Sequence, residues 1–311
     1  MAQNAYTPDG HLPYGRPPKK GKSVWTVVLV LALIVLAASL VALGVIAFSY
    51  FQGQQKYEHV ADVADFDPEG KTELGTLSVD WDALRAVNPD IVAWVYVPNT
   101  PINYPVVQGK DNDYYLSHDF DGDAGWLVEN GTVFLDYRND PEFRDPSSFM
   151  YGHHLNDGTM FAALGEVRDQ ARFEEIRTVY LLTPKGNYKL RGYSLVHCDG
   201  TEAIVRTTFE SDEDMADYIK GIIERSEFDP GNIPSASAIR KSFAFSTCDS
   251  TWQSSGRCVL FCYIEDKTVD DVAGEIGIAT DEEGATTGFA NELVGNGQDE
   301  QQAGEGGQGE G

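Results

Sequence analysis

Cys248 is the residue whose setting first suggests reactivity. It ends the apolar run SFAFSTC and is followed by the polar, turn-prone DSTWQSSG. A thiol at the mouth of a strand, beside a loop, can be both held and reached. It acts as a nucleophile at neutral pH only beside a base or a cation. His153 and His154 follow Gly152 in MYGHHLNDGTMF, at the edge of another strand-like run, where an imidazole can serve as acid or base. Arg257 opens GRCVLF nine residues after Cys248, so two strands joined by a short loop would bring its guanidinium beside the thiol. Each signal alone has a plain structural alternative: a buried thiol, a surface histidine, a solvated strand-edge charge.

The other three cysteines read as structural. Cys258 and Cys262 stand four apart in RCVLFCYIE. On a strand that spacing means one face and a separation of about 13 Å, beyond disulfide reach and poor for zinc. Cys198 reads as a small buried hydrophobe, and four cysteines are too few for a disulfide scaffold.

Strands must position these groups. Runs rich in β-branched and aromatic residues occur at 91–97, 106–107, 132–136, 148–151, 178–182, 188–196, 242–247 and 257–264. Turn residues (Pro98-Asn99, Asp121-Gly122, Lys185-Gly186, Gly256) separate them, the pattern of an all-β barrel or sandwich. Trp81, Leu84 and Val87 have helical spacing, closed by Asn88-Pro89. A longer helix begins at Ser211 with Asp214 three residues on, a capping-box pattern. Met215, Tyr218, Ile219, Ile222 and Ile223 then line one face, which should pack on the barrel before the last two strands.

Charge is sorted along the 311 residues. The net charge of −26 leaves no large basic surface, which argues against nucleic acid as a partner. Residues 1–23 carry Arg16, Lys19, Lys20 and Lys22 against Asp9 alone. Residues 24–51, VWTVVLVLALIVLAASLVALGVIAFSYF, carry no charge, and residues 268–311 hold eleven acids without Lys or Arg. About 20 apolar residues cross a bilayer core, so 24–51 reads as a transmembrane anchor. It is longer than the apolar region of a cleaved signal, about 7–15 residues. The basic flank predicts a cytoplasmic, Pro-rich head and export of everything after Phe51. Residues 52–76 read as a polar stalk, with helix near 54–63, and 268–311 as an acidic disordered tail. No EF-hand-type loop is present, and no metal or other cofactor is expected. The run Asp119-Phe120-Asp121-Gly122-Asp123 reads as a solvated acidic turn.

Taken together, the motifs resemble the sortases. SFAFSTC followed by Arg257 is similar to the family's TLSTC-type strand and the Arg that begins its next strand, although AFSTC matches TLSTC only loosely in size. YGHH matches the family's Gly-His block. The segments at 88–120, 131–140 and 152–161, and the helix at about 212–226, resemble class B, and the likeness covers about 75–267. It implies a mainly β catalytic domain over 77–267: a closed barrel of about eight strands with peripheral helices, one of them before the last two strands, behind an N-terminal membrane helix.

The resemblance also implies a cysteine transpeptidase at the outer face of the cell membrane. Such an enzyme cleaves a C-terminal sorting signal of a secreted protein after its Thr, forms a thioester, and passes it to an amine of a cell-wall precursor or a pilin. By resemblance Cys248 is the nucleophile, His153 the general acid/base with His154 a tuning neighbour, and Arg257 the substrate and oxyanion holder. Ser246, Thr247, Asn112 and Leu116 fall where the family has substrate-pocket residues. The competing readings are a cysteine peptidase that only hydrolyses and an anchored β-barrel that binds peptides without turnover.

Overall fold

The computed structural model describes residues 24–68, 73–124, 131–248 and 255–269, without the side chain of Cys248. The head at 1–23 and nearly all of the tail lie outside the described residues.

Helix α1 (Val24–Val63) is continuous over 40 residues. Its part up to Phe48 forms one compact unit and exposes apolar side chains throughout, Leu31, Ile34 and Leu40 among them. Among the described residues α1 alone is long and apolar enough to cross a membrane.

The second unit, from Ser49 on, holds the barrel. Eight strands close it: β1 (Ile91–Tyr96), β2 (Asn103–Val107), β3 (Val133–Leu135), β4 (Ser147–Gly152), β5 (Thr178–Thr183), β6 (Gly186–Asp199), β7 (Ser242–Cys248) and β8 (Gly256–Lys267). Their order is β1-β2-β3-β4-β7-β8-β6-β5. Pairing is antiparallel except at β2–β3 and β4–β7, which run parallel. A parallel pair needs a long crossover. Residues between β4 and β7 supply it, including α4 (Ala162–Gly165), α5 (Gln170–Ile176) and α6 (Asp212–Glu224). Earlier in the chain come α2 (Trp81–Val87) and α3 (Tyr114–Ser117).

Each strand-like run became a strand, because β-branched and aromatic side chains fit a surface buried on both faces. Phe243, Phe245, Leu260 and Cys262 belong to one buried set. Phe149, Ala244, Val259 and Phe261 belong to another, covered by Met215, Ile219 and Ile222 of α6. Strand alternation therefore separates the barrel interior from an outer layer roofed by α6. At the start of α6 only half of the capping box forms. Ser211 Oγ accepts from the Asp214 amide, but the Asp214 carboxylate accepts from the amide of Glu210 and pairs with Arg206.

Two expectations are revised by packing. The stalk residues up to Val63 continue α1 and dock on the barrel, burying Tyr57 and Val60. The acidic turn is not simply solvated: Asp119, Asp121 and Asp123 converge, and Asp119 is buried. Lys56 Nζ of α1 lies 2.8, 3.4 and 2.8 Å from their three carboxylates. Burial and the neighbouring Asp121 push the Asp119 carboxyl up to about 6, with Lys56 pulling the other way. These contacts join residues more than 60 positions apart, which local patterning does not reveal.

Candidate active site

Backbone register brings the singled-out positions to one rim of the barrel. Between the parallel β4 and β7, Tyr151 pairs with Ser246 and Gly152 with Thr247. His153 and Cys248 are the next residues along the two chains, just past the last β4–β7 pair. Across β7 and β8, Cys248 pairs with Arg257, and across β8 and β6, Arg257 pairs with Cys198. Neighbouring strands are about 4.8 Å apart, so Cys248 and Arg257 sit side by side on β7 and β8, and His153 follows the end of β4, on the other side of β7. The Cys248 side chain and residues 249–254 lie outside the described residues.

Alternation sorts these positions by face. Val259, on β8 two residues beyond Arg257, belongs to the outer layer, as does Phe149 on β4, four residues before His153. A cavity of about 300 Å³ opens there and contains Asn112, Leu116, His153, Ser246, Thr247 and Arg257. Every site residue with a described side chain thus reaches one cavity. Tyr151, Cys198, Glu202 and Ile204 also line it and were missed in the sequence. Tyr151 had a usable signal, since it shares the face of His153 two residues on.

The His153 imidazole is half-buried and held at two points. Nε2 donates to the Leu116 carbonyl oxygen, since a carbonyl can only accept, and Nδ1 is the ring nitrogen not used in that contact. The ring also rests on Gly131, where an added Cβ would lie 2.7 Å from His153 Cδ2. The Phe161 amide fixes the backbone by donating to the His153 carbonyl at 2.8 Å. His154 turns the other way. It bridges to Met160 and sets Nδ1 against Gly165 of α4, where a Cβ would lie 2.7 Å away. It is not among the residues lining the cavity.

Arg257 is half-buried, and its Nη1 donates to the Gly256 carbonyl at 3.2 Å. The guanidinium stands over Gly200, where a Cβ would lie 3.4 Å from Cζ. Among the described residues no carboxylate pairs with its permanent charge.

One wall is built on Asp136, whose carboxylate is fully buried. It accepts from Arg138 Nε and Nη2, from Tyr151 Oη at 2.8 Å and from Asn112 Nδ2 at 3.1 Å. Asn112 Oδ1 accepts in turn from the Tyr137 amide. Burial opposes ionisation of Asp136, but Arg138 and the other donors outweigh it and hold the carboxyl below its ordinary range. Its folded-state pKa lies below the unfolded value of about 3.9, so its contribution to stability is present above that pH and is lost as pH falls through the folded pKa. Asp136→Asn is expected to cost about 2–3 kcal/mol at neutral pH and to flatten the acid limb of the stability curve. Denaturant unfolding between pH 3 and pH 7 measures both, and an unchanged midpoint would remove this role.

Three thiols are accounted for. Cys258 and Cys262 share the barrel interior, and Cys258 Sγ donates to the Leu164 carbonyl at 3.3 Å. Cys198 is 2% exposed at the cavity floor. Burial pushes the thiols of Cys198 and Cys262 above their ordinary range, which keeps them protonated.

No protein-family model matches the chain. Sortase B of Listeria monocytogenes is 29% identical over 222 residues, covering 68% of this chain and 88% of that protein. Sortase B of Staphylococcus aureus is 32% identical over 139 residues, covering 45% and 56% respectively. The structure of a Staphylococcus aureus sortase B–substrate complex aligns with TM-score 0.60 at 25% identity, over 70% of this chain and 98% of that one. Likeness in sequence and likeness in fold point the same way, to the class B sortases, a family of cysteine transpeptidases.

Proposed function

We propose that Cys248, His153 and Arg257 form the catalytic centre of a membrane-anchored sortase acting on the C-terminal sorting signal of secreted proteins. The Cys248 thiolate attacks the carbonyl carbon of the signal's Thr. Arg257 holds the substrate and offsets the oxyanion that develops. The C–N bond then breaks, and His153 gives a proton to the leaving amine, leaving a thioester on Cys248. An amine of a cell-wall precursor or a pilin attacks that thioester. His153 takes up its proton, and the thiolate departs as the new amide forms. Ser246, Thr247, Asn112 and Leu116 line the substrate path. The observation that supports this reading is the cavity lined by His153 and Arg257 together, with Cys248 paired to Arg257 across β7 and β8.

The topology proposed with it is a cytoplasmic head at 1–23, an anchor at 24–51, and an exported catalytic domain at 77–267 reached through 52–76, with an acidic tail beyond it. The basic flank and the uncharged length of 24–51 support this orientation.

The test uses the full chain in detergent micelles with a panel of fluorogenic sorting-signal peptides, with and without amine acceptors. Cleavage whose product joins the acceptor is expected. Absence of cleavage across the panel would defeat the enzymatic reading, and cleavage without transfer to any acceptor would leave a hydrolysing peptidase. Alkylation gives an independent check: the folded chain should label at Cys248 first, because the other three thiols are buried. Peptide mapping that finds Cys198 labelled ahead of Cys248 would contradict it.

A further inference from the structure

The proposal that His153 is the acid/base leaves open what sets the imidazole in place. Two surfaces do so. One is the Leu116 carbonyl, which accepts from Nε2. The other is the Gly131 peptide. Gly131 has φ of +56°, and a Cβ there would lie 2.7 Å from His153 Cδ2 and 2.8 Å from the carbonyl oxygens of both Leu116 and Tyr115. The ring therefore fits a slot whose width is set by where residues 131 and 116 stand.

That slot is held from outside the barrel. The Tyr57 hydroxyl of α1 donates to the Gly131 carbonyl and lies 3.4 Å from Thr132 Oγ1. The phenol is buried, and its ring meets Tyr104 edge-on at 5.2 Å. Thr132 ties the same point to the Leu116 side of the slot: its amide donates to the Tyr115 carbonyl and its hydroxyl to the His118 carbonyl, each at 3.0 Å. Lys56, next to Tyr57, grips Asp119 at 2.8 Å, just past the same segment. Of two consecutive residues of one helix, Tyr57 thus holds the Gly131 peptide directly and Lys56 holds Asp119, three residues beyond Leu116.

We infer that Tyr57 is a positioning residue for His153, acting through the Gly131 peptide, so that the helix carrying the apolar anchor is also part of the catalytic scaffold. This rests on His153 being the acid/base, but the link from Tyr57 to the ring is separable from it. Without the hydroxyl, Gly131 loses its donor and the slot can widen, while the ring packing on Tyr104 stays. Small errors in the placement of an acid/base group lower turnover more than they lower binding.

The experiment compares wild type, Tyr57→Phe and Asp169→Ala as full chains in micelles. Asp169 caps α5, where its carboxylate accepts from the Arg172 amide at 2.8 Å, and it lines no part of the cavity. It serves as a control for stability alone. Tyr57→Phe is expected to lower kcat by about tenfold with KM changed by less than about twofold. It is also expected to shift the His153 ring resonances in side-chain NMR while leaving those of His154 in place. Asp169→Ala should lower the unfolding temperature without either effect. Gly131→Ala, which drives a Cβ toward His153 Cδ2, should move the same resonances further.

Unshifted His153 resonances in Tyr57→Phe would overturn the inference, and so would a kcat loss no greater than that of Asp169→Ala. Full turnover in His153→Ala would remove the catalytic reading alone; the resonances would still decide whether Tyr57 positions the ring.

Discussion

Cys248→Ala is expected to abolish peptide cleavage and amine transfer together, a fall of about 10⁴-fold or more in kcat/KM. Both half-reactions pass through one sulfur in the proposed scheme, so no acceptor concentration should restore transfer. No other described thiol can substitute. Cys258 and Cys262 face the barrel interior. Cys198 pairs with Arg257 from the far side and so stands about two strand spacings, or roughly 10 Å, from position 248. It is also kept protonated by burial. The measurement is the fluorogenic cleavage rate, paired with intact-mass detection of the acyl-enzyme, which should appear in wild type and be absent from the variant. Residual cleavage above one-hundredth of wild type would mean that the nucleophile lies elsewhere.

His153→Ala is expected to lower kcat by about 10²–10⁴-fold, the range for removing a positioned acid/base group. His154→Ala should change it by less than about threefold, as a half-buried packing residue removed. The contrast follows from one residue of strand geometry. Both histidines follow Gly152, but His153 faces the cavity with Arg257, whereas His154 packs against Gly165. The two variants should be read at equal folded fraction, since His154→Ala removes a contact with α4. The reverse ranking, with His154→Ala the more damaging, would transfer the acid/base role to the neighbour.

Much of the fold was legible because its causes are local. All eight strands appear as β-branched and aromatic runs bounded by turn residues. The stripe from Met215 to Ile223 marks α6, and the uncharged stretch at 24–51 marks an anchor-length helix. Strand ends were less legible. β6 runs to Asp199, three residues beyond its apolar run, because pairing with β8 continues as far as Gly256. Short helices such as α3 and α4 lack the length for a periodic signal and are held by tertiary contacts.

The candidate site divides in the same way. Residue type and spacing along the chain single out Cys248, the His153-His154 pair and Arg257, because a nucleophile, an acid/base and a fixed cation each need a particular side chain. Which histidine faces the cavity was decided by the parallel pairing of β4 with β7, a contact between segments nearly one hundred residues apart. The Asp136 hub, the Lys56 grip on three aspartates, and the Tyr57 contact behind His153 were likewise invisible in the sequence. Each joins polar groups that are distant in the chain, and a hydrogen bond, unlike a hydrophobic period, leaves no repeating trace along it. The sequence by itself determined the elements and the chemistry available at their ends; the tertiary structure alone decided which ends meet and what holds them there.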